Sequence, residues 1–114
     1  MEETFEVQAI AKYIHMSPQK VRLVVDMVRG KDVDEALNVL KFTPKAAAKP
    51  VAKVIRSAIA NAEENFGLSR EDLYIARIFA DEGPRRRWRR FGARGRFKPI
   101  IRRSTHVTVV LAER

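Results

Sequence analysis

Cysteine is absent from the 114 residues, which excludes a disulfide framework, a thiolate metal site and a cysteine nucleophile. Histidine is scarce: His15 and His106 are the only two, and two imidazoles cannot fill a zinc site. Neither has a carboxylate or hydroxyl at a spacing that specifies a catalytic triad. Ser104 and His106 could share one face of a strand, and a polar strand end accounts for them without chemistry. No apolar run reaches the ~20 residues that a membrane-spanning helix needs. The amino-terminal Met1-Glu2-Glu3-Thr4 is acidic and lacks the charged-then-apolar order of a signal peptide. The expectation is a single cytoplasmic domain that is not an enzyme, carries no metal or cofactor and does not bind a membrane.

The most informative shortage is local. No Asp or Glu falls between Gly83 and Ala112, whereas nine arginines and one lysine lie between Arg85 and Arg103. Thirteen basic residues then remain for the rest of the chain against fourteen acidic ones, so this stretch supplies all of the formal +9. Such a segment repels itself and has too few apolar residues to form a core. It is suited to an anion outside the protein. A pI near 10.5 with the charge in one place points to nucleic acid.

Within the basic stretch, Trp88, Phe91 and Phe97 interleave flat rings among arginines that can fork onto phosphate or stack on bases. Trp88 could instead fold back onto the body. Gly92 and Gly95 permit sharp backbone turns, and the strand–loop–helix context of a phosphate-cradling loop is missing around them. Pro84 and Pro99 near the base discourage ladder pairing with another chain. The flanks Leu73–Ala80 and His106–Leu111 are rich in β-branched and aromatic residues, as strands are. One long antiparallel hairpin follows. With about ten residues each way it could reach roughly 30 Å beyond the body at ~3.3 Å per residue.

The remainder reads as the body. Phe5, Val7, Ala9, Ala11 and Tyr13 alternate with Glu6, Gln8, Ile10, Lys12 and Ile14, the period of a half-buried strand. Ser17-Pro18 is an N-cap followed by proline at the first helical position, and Val21, Val24, Val25 and Val28 form the apolar face that Gly30 ends. Arg22 and Arg29 lie beside that face, with Lys20 on its other flank, and the cap region offers free N–H groups to a phosphate. Asp32 with Glu35 spells a capping box for a second helix through Val33, Ala36, Leu37 and Leu40. Thr43-Pro44 repeats the cap signal and opens a longer helical segment running to Gly67; with Pro50 inside it, the helix either bends there or begins late, and the bend is the expectation. Ala58, Ala60 and Ala62 would let this helix lie close to a sheet. The fold class is thus α+β: a three-stranded antiparallel sheet packed against three helices, with a long protruding basic β-hairpin. Residues 1–82 and 100–114 make the body of one domain, and 83–99 the extended hairpin end.

Several blocks carry a resemblance: Ser17-Pro18-Gln19-Lys20-Val21-Arg22, Arg29-Gly30-Lys31, Ser57-Ala58-Ile59-Ala60-Asn61-Ala62, Asp81-Glu82-Gly83-Pro84, Ala93-Arg94-Gly95-Arg96 and Arg103-Ser104-Thr105-His106-Val107. In order and spacing they resemble the bacterial large-subunit ribosomal protein twenty-two family, with Phe91-Gly92 standing where that family usually has a proline-arginine pair. The resemblance implies a structural protein that binds large-subunit ribosomal RNA, contacts neighbouring ribosomal proteins and helps early assembly. It implies a monomer outside the ribosome, and a hairpin that lines the exit tunnel beside the nascent peptide. The RNA-binding candidates are Ser17, Lys20, Arg22, Arg29, Lys31, Arg85, Arg86, Arg87, Trp88, Arg89, Arg90, Arg94, Arg96, Lys98, Arg102, Arg103, Thr105 and His106. The tunnel-facing tip is Arg87, Trp88, Arg89, Arg90, Phe91, Gly92 and Ala93. The alternative is a DNA-bending architectural protein that lays a basic β-ribbon in the minor groove.

Overall fold

Alternation at Val7, Ala9 and Ala11 gives strand β1 (Glu6–Ile14) in a computed structural model of the chain. The structure describes the backbone of residues 6–83, 86–91, 97–102 and 104–114, and the side chains of residues 6–83 and 104–114. Three helices follow β1: α1 (Pro18–Val28), α2 (Val33–Lys41) and α3 (Ala48–Phe66). A 3-10 turn at Arg70–Asp72 leads into β2 (Leu73–Glu82), then β3 (Arg86–Phe91), β4 (Phe97–Arg102) and β5 (Thr105–Glu113). The α+β reading holds. β5 lies between β1 and β2, antiparallel to both. β3 pairs with β4 from Arg86↔Arg102 to Phe91↔Phe97. The expected reach of this ribbon lies outside the described residues.

The apolar stripes read from the sequence meet in one core. Val21, Val24, Val25 and Val28 of α1 are buried, as are Val51, Ile55, Ala58 and Ala62 of α3. They close over Val7 of β1, Ile75 and Ile78 of β2, and Val107, Val109 and Leu111 of β5. Each fully buried Val, Leu or Ile contributes about 1.5–3 kcal/mol relative to exposure. Gly30 and Gly67 take positive φ, 78° and 62°, just past the ends of α1 and α3.

Local expectations fail at several points. The third helix begins at Ala48 and not at Thr43-Pro44, so the expected bend at Pro50 does not arise. Pro50 falls in the first turn, where its missing N–H would have had no helical acceptor. Asp32 makes no capping bond; its carboxylate pairs with Arg114 at 2.9 Å. Ala60 is exposed, and Ala58 and Ala62 alone make the close approach. In β1 the register shifts between Ala11 and Ile14, with Tyr13 at φ 60°, so Ile14 packs on the core and Tyr13 stays exposed. A second shift, between Ile75 and Arg77, lets Ile75 and Ile78 both face inward despite their odd spacing.

Candidate nucleic-acid interface

The base of the hairpin is held by backbone and by two buried hydroxyl-bearing residues. Gly83 N–H donates to Ser104 O at 2.8 Å, just beyond the last β2–β5 pair, Glu82↔Thr105. A Cβ at Gly83 would run into Ser104 Oγ and stand 3.3 Å from the His106 ring, so glycine permits the two arms to close. Ser104 and Thr105 are both buried, and Thr105 Oγ1 donates to Met16 O at 2.7 Å, tying β5 to the chain entering α1. His106 Nδ1 accepts the Tyr13 N–H at 3.0 Å, with the two rings edge to face at 4.9 Å. A neutral His106 therefore carries its proton on Nε2, the nitrogen on the side of the ring that faces Gly83.

Along the outer edge of β2, α1 takes the place of a missing strand. Arg22 Nε donates to Ala80 O at 3.1 Å, and Arg29 Nη2 to Ile78 O at 2.8 Å. Ile75 N–H donates to Lys31 O at 2.9 Å, and Asp32 bridges Tyr74. Carbonyls that an edge strand would expose are thus met by guanidinium groups, which also discourages pairing with another chain. Arg29 Nη1 meets Asp26 at 2.6 Å, and Lys31 Nζ meets Glu35 at 3.5 Å. Ser17 precedes α1 without a capping bond from its side chain, and the first helical bond is Val21 N–H to Ser17 O at 3.2 Å. The N–H groups of Gln19 and Lys20 therefore stand ahead of the helical ladder, as an anion would need.

The structure gathers Ser17, Thr105 and His106 at the end of the sheet where the hairpin leaves. Arg22 and Arg29 lie along the neighbouring edge, and Lys31 sits at the opposite end of α1 from Ser17. Lys20 is exposed on the first turn of α1. The side chains of Arg85, Arg86, Arg87, Trp88, Arg89, Arg90, Phe91, Arg94, Arg96, Lys98, Arg102 and Arg103, and the whole of Gly92 and Ala93 at the tip, lie outside what the structure describes. On the body, Glu6, Asp26, Asp32, Asp34 and Glu35 are each matched by a cation, which blunts their repulsion of an approaching polyanion.

Residues 9–112 match the family described as Ribosomal protein L22p/L17e. This chain belongs to that family. It is 51% identical over 109 residues to the large ribosomal subunit protein uL22 of Thermoanaerobacter sp. (strain X514), covering 96% of this chain and 98% of the relative. The protein of the same name from Clostridium novyi is 53% identical over 109 residues, with 96% and 98% covered. That of Pediococcus pentosaceus is 49% identical over 113 residues, with 99% and 96% covered. The blocks that carried the resemblance, from Ser17 to Val107, all fall inside the matched span.

One cationic face escaped the sequence reading of this family member. Lys41, Lys49, Lys53 and Arg56 line a groove between α2 and α3. The signal was there: no acidic residue occurs from Ala36 to Ala62. It was hidden because acids elsewhere on the body cancel these cations in the total.

Proposed function

We propose that the chain is a structural constituent of the large ribosomal subunit that binds its ribosomal RNA. It holds that RNA through the hairpin, the hairpin base and the α1–β2 edge, and it performs no catalysis of its own. One observation carries the reading: a family member concentrates all of its excess charge between Arg85 and Arg103, directly beyond a hydrogen-bonded base. Phosphate contacts by the ten cations supply affinity, and Trp88, Phe91 and Phe97 supply stacking surfaces. The ribbon lines the nascent-peptide exit tunnel with its tip at residues 87–93, while the body meets neighbouring ribosomal proteins and supports early assembly. Free of the ribosome, the protein is a cytoplasmic monomer whose body folds without residues 83–99. Family membership favours this reading over a DNA-bending ribbon.

The test replaces Pro84–Lys98 with an Asn-Gly turn. Eight cations are lost, and if about half meet phosphates the slope of log affinity against log salt falls by roughly 3–4 units at ~0.7–0.9 per contact. Circular dichroism checks that the body stays folded. An unchanged slope, or a wild-type chain that washes off large subunits in high salt, contradicts the reading.

A further inference from the structure

His106 stands where the β1–β5 ladder slips. The register runs Ala11↔Val107 and then Ile14↔Thr105, so Lys12 and Tyr13 together oppose this single residue. A bulge of this kind takes a backbone N–H out of the ladder. Here the Tyr13 N–H meets an imidazole in place of a main-chain carbonyl, 3.0 Å from Nδ1. Tyr13 needs holding, because its φ of 60° lies in the left-handed region that residues with a side chain seldom occupy. The edge-to-face contact of the two rings braces the same residue. On the other side His106 is in register with Asp81 of β2, and a Cβ at Gly83 would stand 3.3 Å from both Cε1 and Nε2 of its ring. One ring therefore reaches the ends of both flanking strands. Beside it, Thr105 Oγ1 donates to Met16 O, and Ser104 O accepts the Gly83 N–H. Residues Tyr13 to Met16 lead directly to Ser17 and the first turn of α1. The three consecutive residues Ser104, Thr105 and His106 thus place both the root of the basic stretch and the entry to α1.

We propose that His106 is a positioning residue for RNA binding, acting through Nδ1 on Tyr13 and not through Nε2 on the RNA. This role rests on the ribosomal reading above. The ring clamps the β1 bulge and the end of β2 to β5. It thereby sets how far the N–H groups at the start of α1 stand from Gly83, where the chain leaves the sheet for its basic stretch. Phosphates can then meet both places at once, and two contacts held at a fixed separation reinforce each other. The clamp needs a neutral ring: only an unprotonated Nδ1 has the lone pair that accepts an N–H. A carbonyl in the ladder could satisfy Tyr13 equally well as an acceptor, but it could not also reach across to Gly83.

Two substitutions in the full-length chain separate the two nitrogens. His106→Asn puts an amide oxygen near the place of Nδ1 and nothing at Nε2, whereas His106→Gln can put a polar atom near Nε2 and leaves the place of Nδ1 without an acceptor. In the free wild-type protein at about pH 8, above the ordinary histidine value of ~6.5, long-range proton–nitrogen correlation should show Nδ1 bare and Nε2 protonated. The Tyr13 amide should exchange slowly in the wild type and in His106→Asn, and about tenfold faster in His106→Gln. With purified large-subunit ribosomal RNA as the probe, His106→Asn should bind like the wild type. His106→Gln should bind about tenfold more weakly, within the ~5–150-fold range of coupled sites. Its salt slope should not change, because no cation has been removed. Circular dichroism checks that both variants fold, and the wild-type tautomer tests the clamp even if one does not. A proton on Nδ1, equal losses in the two variants, or no loss in either overturns the proposal. Weakened binding in His106→Asn beside wild-type binding in His106→Gln assigns Nε2 to the RNA and also overturns it. A wild-type chain without salt-dependent RNA binding removes the ribosomal reading, while the tautomer and the Tyr13 exchange, measured with no RNA present, still judge the clamp.

Discussion

Arg22 and Arg29 serve the fold before they serve any ligand, and this can be measured with no RNA present. Replacing both with Met keeps most of each aliphatic stem and removes the donors to Ala80 O and Ile78 O. An enclosed bond from a charged donor contributes about 1.5–3 kcal/mol. Here the Arg29 side chain is 51% exposed, so solvent can replace part of it and about 1 kcal/mol per arginine is the appropriate figure. The double variant should lose about 2 kcal/mol, seen as a melting temperature lower by roughly 8 °C or more for a domain of this size. In urea the midpoint should fall with the slope unchanged, since the native surface is nearly the same. Lysine at both positions should recover part of the loss, because an ammonium can reach a carbonyl but lacks the fork. An unaltered midpoint in the Met variant would show that these bonds contribute nothing to the edge and that both arginines are free for RNA.

Two further perturbations test the hairpin base and the core. Thr105→Val removes the donor to Met16 O while keeping the side-chain shape, and should destabilise by about 1–2 kcal/mol in chemical denaturation; a neutral result would mean that water satisfies Met16 O. Ile55→Ala empties a fully buried site under the sheet and should lower stability by about 2–5 kcal/mol in calorimetry, whereas a loss under about 1 kcal/mol would mean the site collapses freely.

Apolar periodicity carried the fold. The valine stripe of α1 and the alternation of β1 depend only on the chain's own repeat, so they could be read without the partner surface. What escaped depends on partners distant in sequence. Asp32 looked like half of a capping box, but Arg114 claims its carboxylate. Thr43-Pro44 and Pro50 offered two competing helix starts, and packing of Ala47 and Ala48 into the core selected the later one. The bulges at Tyr13 and Ala76 change which face each later residue occupies, a shift that alternation alone does not announce. For the candidate interface, charge density pointed to the hairpin at once. The α2–α3 cations were masked by whole-body neutrality, and the bonds of Arg22 and Arg29 to carbonyls some fifty residues away could not be read from a helix face.

The central position of β5 has a consequence for how the chain is made. β1 and β2 do not pair with each other; each finds its neighbour only in Thr105–Glu113. A polypeptide emerging from its amino end therefore exposes two orphan strands until β5 appears, after the whole basic ribbon has been synthesised. The ladder Val7↔Leu111 then joins residues roughly a hundred positions apart, a separation that slows folding. During that interval the apolar faces of Val7, Ile75 and Ile78 lack their sheet, and they coexist with a stretch of ten cations. Sheet closure is the step that brings Gly83 against Ser104, so the base of the hairpin and the core are completed in the same late event.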